Sequence, residues 1–199
     1  MDCAKIADEI ARRLKPLIAD LADGFHCSFR YTQTGNNLAH PITWGYLSRL
    51  LWDMPRIMRV GIDLRLNLGR NIKFQPDLAA WSSPEKLAVL LDYESPNSSD
   101  ARIPTKDIDP YLAWRRESRT SVPYIIVTTL PNRPAPDWEL RYTSPGHCNE
   151  HFRGRRDEIR KNPFEFWYRY YMDEIANRDV TDIALVNIDG KSVYRSYPV

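Results

Sequence analysis

A chain of 199 residues, 43% of them hydrophobic and 27% charged, suits one soluble globular domain with a full core. Its net charge of +2 neither demands nor excludes nucleic acid, because a local basic patch is what binds phosphates. No apolar run approaches the roughly 20 residues that cross a bilayer. Three cysteines, few and odd in number, argue against a disulfide framework and for a reducing, cytoplasmic setting.

Ile6, Ile10, Leu14, Leu17, Ile18 and Leu21 recur at spacings of three and four. Residues 2–22 are therefore expected to form an amphipathic helix, closed by Asp23-Gly24, with Pro16 kinking or dividing it. This acid-bearing segment is unlike a signal peptide. Residues 25–45, with TQTGNN, read as irregular, and WGYLSRLLWDMPR fits a short helix or an extended lead-in equally. From Arg59 the period becomes two: Val60, Ile62, Leu64, Leu66 and Leu68 alternate with polar neighbours, a half-buried strand. IKFQPDLAAW and KLAVLLDYE read as the next two strands, joined by the turn SSPE.

Asp109 followed by Pro110 predicts an N-cap and first residue for a helix PYLAWRRESR. VPYIIVTTL is apolar enough for a central strand buried on both faces. PNRPAP is a stiff linker, DWELRYT an edge strand, and NPFEFWYRYYMDEIANR a long helix with Asn162 as cap. DIALVNIDGKSVYRSYPV closes as a hairpin turning at Asp189-Gly190. The order predicts an α/β protein, a mixed sheet flanked by helices.

The acids Asp77, Asp92 and Glu94 sit at the ends of apolar runs, where a carboxylate is costly unless paired, hydrated or met by a cation. Residues two apart on a strand share a face, so Asp92 and Glu94 project together and Tyr93 points away. Antiparallel pairing of the preceding strand would bring Asp77 to that face. Converging carboxylates raise a pKa or draw in a hard cation, and oxygen-rich sites suit Mg²⁺ or Mn²⁺. The plain alternative is a turn acid beside two solvated strand-end acids.

Pro76-Asp77, fifteen residues, then Asp92-Tyr93-Glu94 resembles the motif of the PD-(D/E)XK nuclease superfamily. DYESPNSSDARIPTK is further similar to a branch of uncharacterised bacterial members with an acid-x-x-Ser-Pro-Ser/Thr motif and a displaced lysine. The resemblance covers residues 59–130. It implies a restriction endonuclease-like mixed sheet flanked by helices, preceded by a helical and irregular region over 1–58 and followed by a C-terminal extension with a hairpin over 131–199. It implies Mg²⁺- or Mn²⁺-dependent cleavage of DNA phosphodiester bonds. In that reading Asp77 and Asp92 are metal ligands, Glu94 is a ligand or base, and Lys106 is the recruited lysine, since Glu94 holds the usual lysine position. Glu9 is the candidate acid from the first helix, and Gln75 and Ser95 flank the acids. A homodimer is implied too. The rival is a nuclease-fold module that has lost catalysis and serves binding or assembly.

Arg153, Arg155, Arg156 and Arg160 form a candidate phosphate-backbone patch, with Arg115, Arg116 and Arg119 a second; solvated faces explain both equally. His147 and His151 have a zinc-like spacing but lack a local second pair. Phe164, Trp167, Tyr168 and Tyr171 make a helical stripe expected in a core or interface.

Overall fold

The computed structural model describes residues 2–18, 32–66, 73–94, 107–135, 154–176, 178, 181–189 and 192–196, and their side chains except at 32–40, 171, 174, 175 and 196. Helix α1 (Cys3–Leu14) is capped by Asp2, whose carboxylate accepts from the Ala4 amide at 3.0 Å. It tightens into a 3₁₀ turn at Lys15–Leu17, where Pro16 has no N–H to continue the ladder. The turn divides the helix at Pro16 as the sequence predicts, Ile18 is helical again, and residues 19–22 lie outside the described residues.

The segment read as irregular is largely helix α2 (Thr32–Trp52), which runs through Pro41 and takes in most of WGYLSRLLWDMPR. Thr43, Leu47, Leu50 and Leu51 are buried at spacings of three and four. Packing of that stripe, rather than propensity, holds the helix.

Strands β1 (Arg59–Ile62), β2 (Leu78–Ser83) and β3 (Lys86–Glu94) form an antiparallel meander. β1 stops well short of Leu68 because Asp63 turns left-handed, with φ 55°. β2 starts at Leu78, not 72, because Pro76 offers no ladder donor. The intervening arms still touch: Asp63 N donates to Asp77 O and Leu66 N to Phe74 O, both at 2.8 Å.

Helix α3 (Asp109–Ser118) then leads to β4 (Tyr124–Thr128). Asp109 is not its cap; a wider π turn at Asp107–Ile108 precedes it, and the Asp109 carboxylate instead meets Arg178 Nε at 2.8 Å. Helices α4 (Arg156–Lys161) and α5 (Pro163–Ala176) follow, then β5 (Ile183–Ile188) and β6 (Val193–Ser196). α5 begins as its sequence predicts, with Asn162 Oδ1 accepting from the Glu165 amide at 3.1 Å. The hairpin turn is held by Ser192 N donating to Asp189 Oδ1 at 2.7 Å. The DWELRYT segment lies outside the described residues.

The six strands lie side by side in chain order. β3, β4 and β5 run parallel, joined through α3 and through α4–α5, and the other pairs are antiparallel. β5 bonds directly to β4, so residues after 131 complete the central sheet rather than append to it.

Two cores sandwich the sheet. Leu90, Tyr124, Ile126 and Leu185 pack against Tyr111, Trp114, Phe164 and Trp167 of α3 and α5. Leu91, Tyr93, Ile125 and Val186 pack against Ile6, Ile10 and Leu14 of α1 and Leu47 and Leu51 of α2. β4, buried at every residue, is the apolar central strand the sequence predicts. The aromatic stripe of α5 is core at Phe164 and Trp167. No helix of the described residues is long and apolar enough to cross a membrane.

Candidate active site

The parallel strands end where a ligand usually binds an α/β sheet, at their carboxyl edge. β3 delivers Asp92 and Glu94 there, opposite Ile126 and Thr128 of β4 and so on the α3–α5 face, while Tyr93 is buried on the other. β2, running the opposite way, begins at the same edge. Its last ladder pair with β3 is Leu78 with Leu91, and Asp77 comes one residue beyond, directly against Asp92.

The two acids brace each other's strands. The Asp77 amide donates to Asp92 Oδ1 at 2.6 Å, and the Tyr93 amide donates to Asp77 Oδ2 at 2.8 Å. Asp92 is 5% exposed, and its Oδ2 accepts from the Tyr124 hydroxyl. Behind it stand the rings of Phe74, Tyr111 and Tyr124, with Tyr111 and Tyr124 stacked at 4.7 Å and Phe74 edge-on to both.

Removal from water by this wall pushes the Asp92 carboxyl up to about 7. The charges of Asp77 and Glu94 push the same way, while the bonds from Tyr124 and the Asp77 amide oppose them. Tyr124 is itself raised well above the ordinary phenol value, by burial first and by the Asp92 and Asp107 charges next.

Asp92 opens onto a cleft of about 380 Å³ lined by Arg65, Lys73, Phe74, Gln75, Asp107 and Pro110. Gln75 is tied on both sides: its amide nitrogen donates to Asp63 Oδ1, and its oxygen accepts from Arg65 Nε at 3.2 Å. Two cations and two acids thus share one wall, an arrangement suited to a ligand carrying both negative charge and a counter-cation.

Mg²⁺ keeps several waters and is commonly held through one or two carboxylates together with substrate phosphates. The adjoining carboxylates of Asp77 and Asp92 fit that chemistry. Among the described residues no three carboxylate, imidazole or thiol groups come together as a ready-made metal cluster. Glu94, 6% exposed, shares the face of Asp92 two residues further on without joining such a cluster.

Glu9 is not brought to this site. It lies on α1, which covers the opposite sheet face, and its carboxylate is gripped by Arg12 at 2.6 Å and Arg13 at 2.5 Å. Those bonds hold it well below the usual carboxylate range. Helical charge pairs of this kind contribute about 0.3–0.5 kcal/mol each. Glu9→Ala should therefore cost under about 1 kcal/mol in urea unfolding and leave divalent-cation affinity unchanged.

Arg155 and Arg160 are each paired with an acid of their own helix, Glu158 at 2.9 Å and Asp157 at 3.4 Å, and Arg155 also lies over the Phe166 ring. Arg156 shares that short helix, so the expected patch carries its own counter-charges. Lys106, Ser95 and Arg153 lie outside the described residues, as do His147 and His151.

Sequence reading missed Arg65, Lys73 and Asp107 on the cleft wall and Tyr124 behind Asp92. For Lys73 a signal existed, since Lys73, Gln75 and Asp77 alternate along one segment. For Tyr124 only the register of β4 on β3 supplies it. Comparison with protein-family models, with curated proteins and with solved structures gives no match.

Proposed function

We propose that this chain is a divalent-metal-dependent nuclease of restriction endonuclease-like fold that hydrolyses DNA phosphodiester bonds at the Asp77–Asp92 edge. One observation carries the reading: Asp92, a buried acid, is set against a second acid at the mouth of a cleft walled by Lys73 and Arg65. A buried carboxylate beside a second, half-buried one is costly unless a cation or hydrogen bonds answer it.

Asp77 and Asp92 would hold Mg²⁺ or Mn²⁺, which would supply Lewis acidity toward a phosphoryl oxygen. Glu94 is a further ligand or the base that takes a proton from the attacking water. Lys73 and Arg65 orient the scissile phosphate, a part for which Lys106 is the other candidate. The Tyr124 hydroxyl fixes the rotamer of Asp92.

A non-catalytic binding module is the second reading. What favours it is that both Asp92 oxygens already accept hydrogen bonds, so the pair can stand as a strut without a cation.

Calorimetric titration with Mn²⁺ separates the two. Binding by the parent protein, lost in both Asp77→Ala and Asp92→Ala, supports the nuclease reading and leads to plasmid-cleavage assays of Lys73→Ala and Lys106→Ala. An absence of binding, with and without a short DNA duplex present to complete the site with its phosphates, favours the module.

A further inference from the structure

A second cleft, of about 700 Å³, runs along the outer side of α3 from Asp109 to the turn after the helix. Four guanidinium groups line it, from Arg115, Arg116, Arg119 and Arg178, together with the side chains of Thr120 and Ser121. Its only wall carboxylate among the described residues is Asp109, which is bonded to Arg178 Nε.

The floor is built. Asp182, 7% exposed, accepts at its Oδ2 from Arg115 Nε at 3.0 Å and from the Ser121 hydroxyl at 2.9 Å. The Tyr111 hydroxyl lies 2.6 Å from the same oxygen and 2.7 Å from Val122 O, sharing its proton between them. Asp182 thus anchors the Arg115 guanidinium, the planar group that grips phosphate in a fork, in the cleft wall. Arg116 and Arg119 are exposed and have no carboxylate partner among the described residues.

Arg119 supplies the second argument. It ends α3 with φ 52°, in the left-handed region where glycine is the favoured residue. The chain keeps a cation at a position whose backbone prefers no side chain. A helix C-terminus welcomes positive charge, which favours Arg115 and Arg116 in the last turn and Arg119 at the cap, but it does not call for Arg178, which lines the same hollow from outside the helix.

We infer that this cleft is a phosphate-binding site, distinct from the acid cleft, that takes a phosphorylated ligand through the forks of Arg115, Arg116 and Arg119. The ligand is a nucleic-acid backbone or a free nucleotide, which share this chemistry. The site stands or falls independently of cleavage at Asp92.

The test is run in EDTA, so that metal chemistry plays no part. Pyrophosphate should raise the thermal midpoint of the parent protein and of Asp92→Asn alike. Arg116→Ala and Arg119→Gly should each weaken pyrophosphate binding about tenfold. Arg119→Gly should do so while raising the midpoint of the free protein, an outcome that misfolding cannot mimic. A labelled short oligodeoxynucleotide whose affinity falls in the same variants, with the salt slope reduced by about one per arginine removed, identifies the backbone as the source. Binding of pyrophosphate and ATP without the oligonucleotide identifies a free nucleotide. If pyrophosphate leaves the parent midpoint unmoved, or Arg116→Ala and Arg119→Gly bind it like the parent, the inference is overturned.

Discussion

Asp92→Asn is expected to stabilise the fold by roughly 2–4 kcal/mol at about pH 8 in chelator, while removing Mn²⁺ binding. The sign follows from burial. The folded-state pKa of Asp92 is about 7, above that of an unfolded aspartate. Between those values the folded chain holds a proton that the unfolded chain has released. The stabilisation this gives is complete below about pH 4 and is lost as pH rises through 7.

At about pH 8 the parent protein carries a buried charge and the asparagine variant does not. The Asn oxygen still accepts from the Asp77 amide and its NH₂ donates to the Tyr124 oxygen, so both contacts are kept, with the Tyr124 proton losing its carboxylate acceptor as the cost. Glu9, whose pKa is lowered, works in the opposite sense, but only at pH values below the ordinary glutamate range. Urea unfolding of both proteins at about pH 5 and pH 8 reads the difference, which should be small at the first and large at the second. A variant less stable than the parent at both pH values would mean that Asp92 serves as a strut. Removing an acceptor from a buried strut costs about 1–3 kcal/mol.

Asn187→Leu is expected to cost about 3 kcal/mol. Asn187 is 1% exposed on β5, in register with Thr128 and, through it, with Glu94. Its Oδ1 accepts from the Leu130 amide at 2.8 Å and the Thr128 hydroxyl at 2.7 Å, and its Nδ2 donates to Leu130 O at 3.0 Å. Leucine fills the same space but leaves a peptide donor and acceptor dry and unbonded, each worth about 1–3 kcal/mol. The clamp fixes the chain as it leaves β4, beside the acid edge. Denaturant unfolding at constant m-value measures the loss; a cost under about 1 kcal/mol would show that water replaces the amide.

How much of this was legible in the sequence depends on whether the cause is local. β3 was read residue for residue because KLAVLLDYE lies between a proline turn and a polar loop. The meeting of Asp77 with Asp92 followed from one antiparallel pairing and the face of Glu94 from alternation, but the expected convergence of all three carboxylates did not. α2 was not legible: Gly35, two asparagines and Pro41 argue locally for a break, and only burial against the sheet overrides them. The end of β1 turns on Asp63 adopting positive φ, which aspartate tolerates without announcing it. Glu9 was misplaced because a helix acid shows neither which sheet face its helix covers nor which arginines reach it. Asn187 looks like any strand-end polar residue until the chain after β4 folds back onto it.

A sheet whose spatial order repeats its chain order needs no strand to wait for a distant partner. Residues 59–94 can close as a meander while the rest of the chain is still being synthesised, and each later strand docks on one already in place. Asp77 and Asp92 therefore meet early, on a hairpin still open to water, where their repulsion is screened. The burden of desolvation arrives only with β4 and α3, when Tyr124 and Tyr111 seal the hairpin's inner face. The penalty thus falls late in assembly, so relieving it at Asp92 should slow unfolding more than it speeds folding.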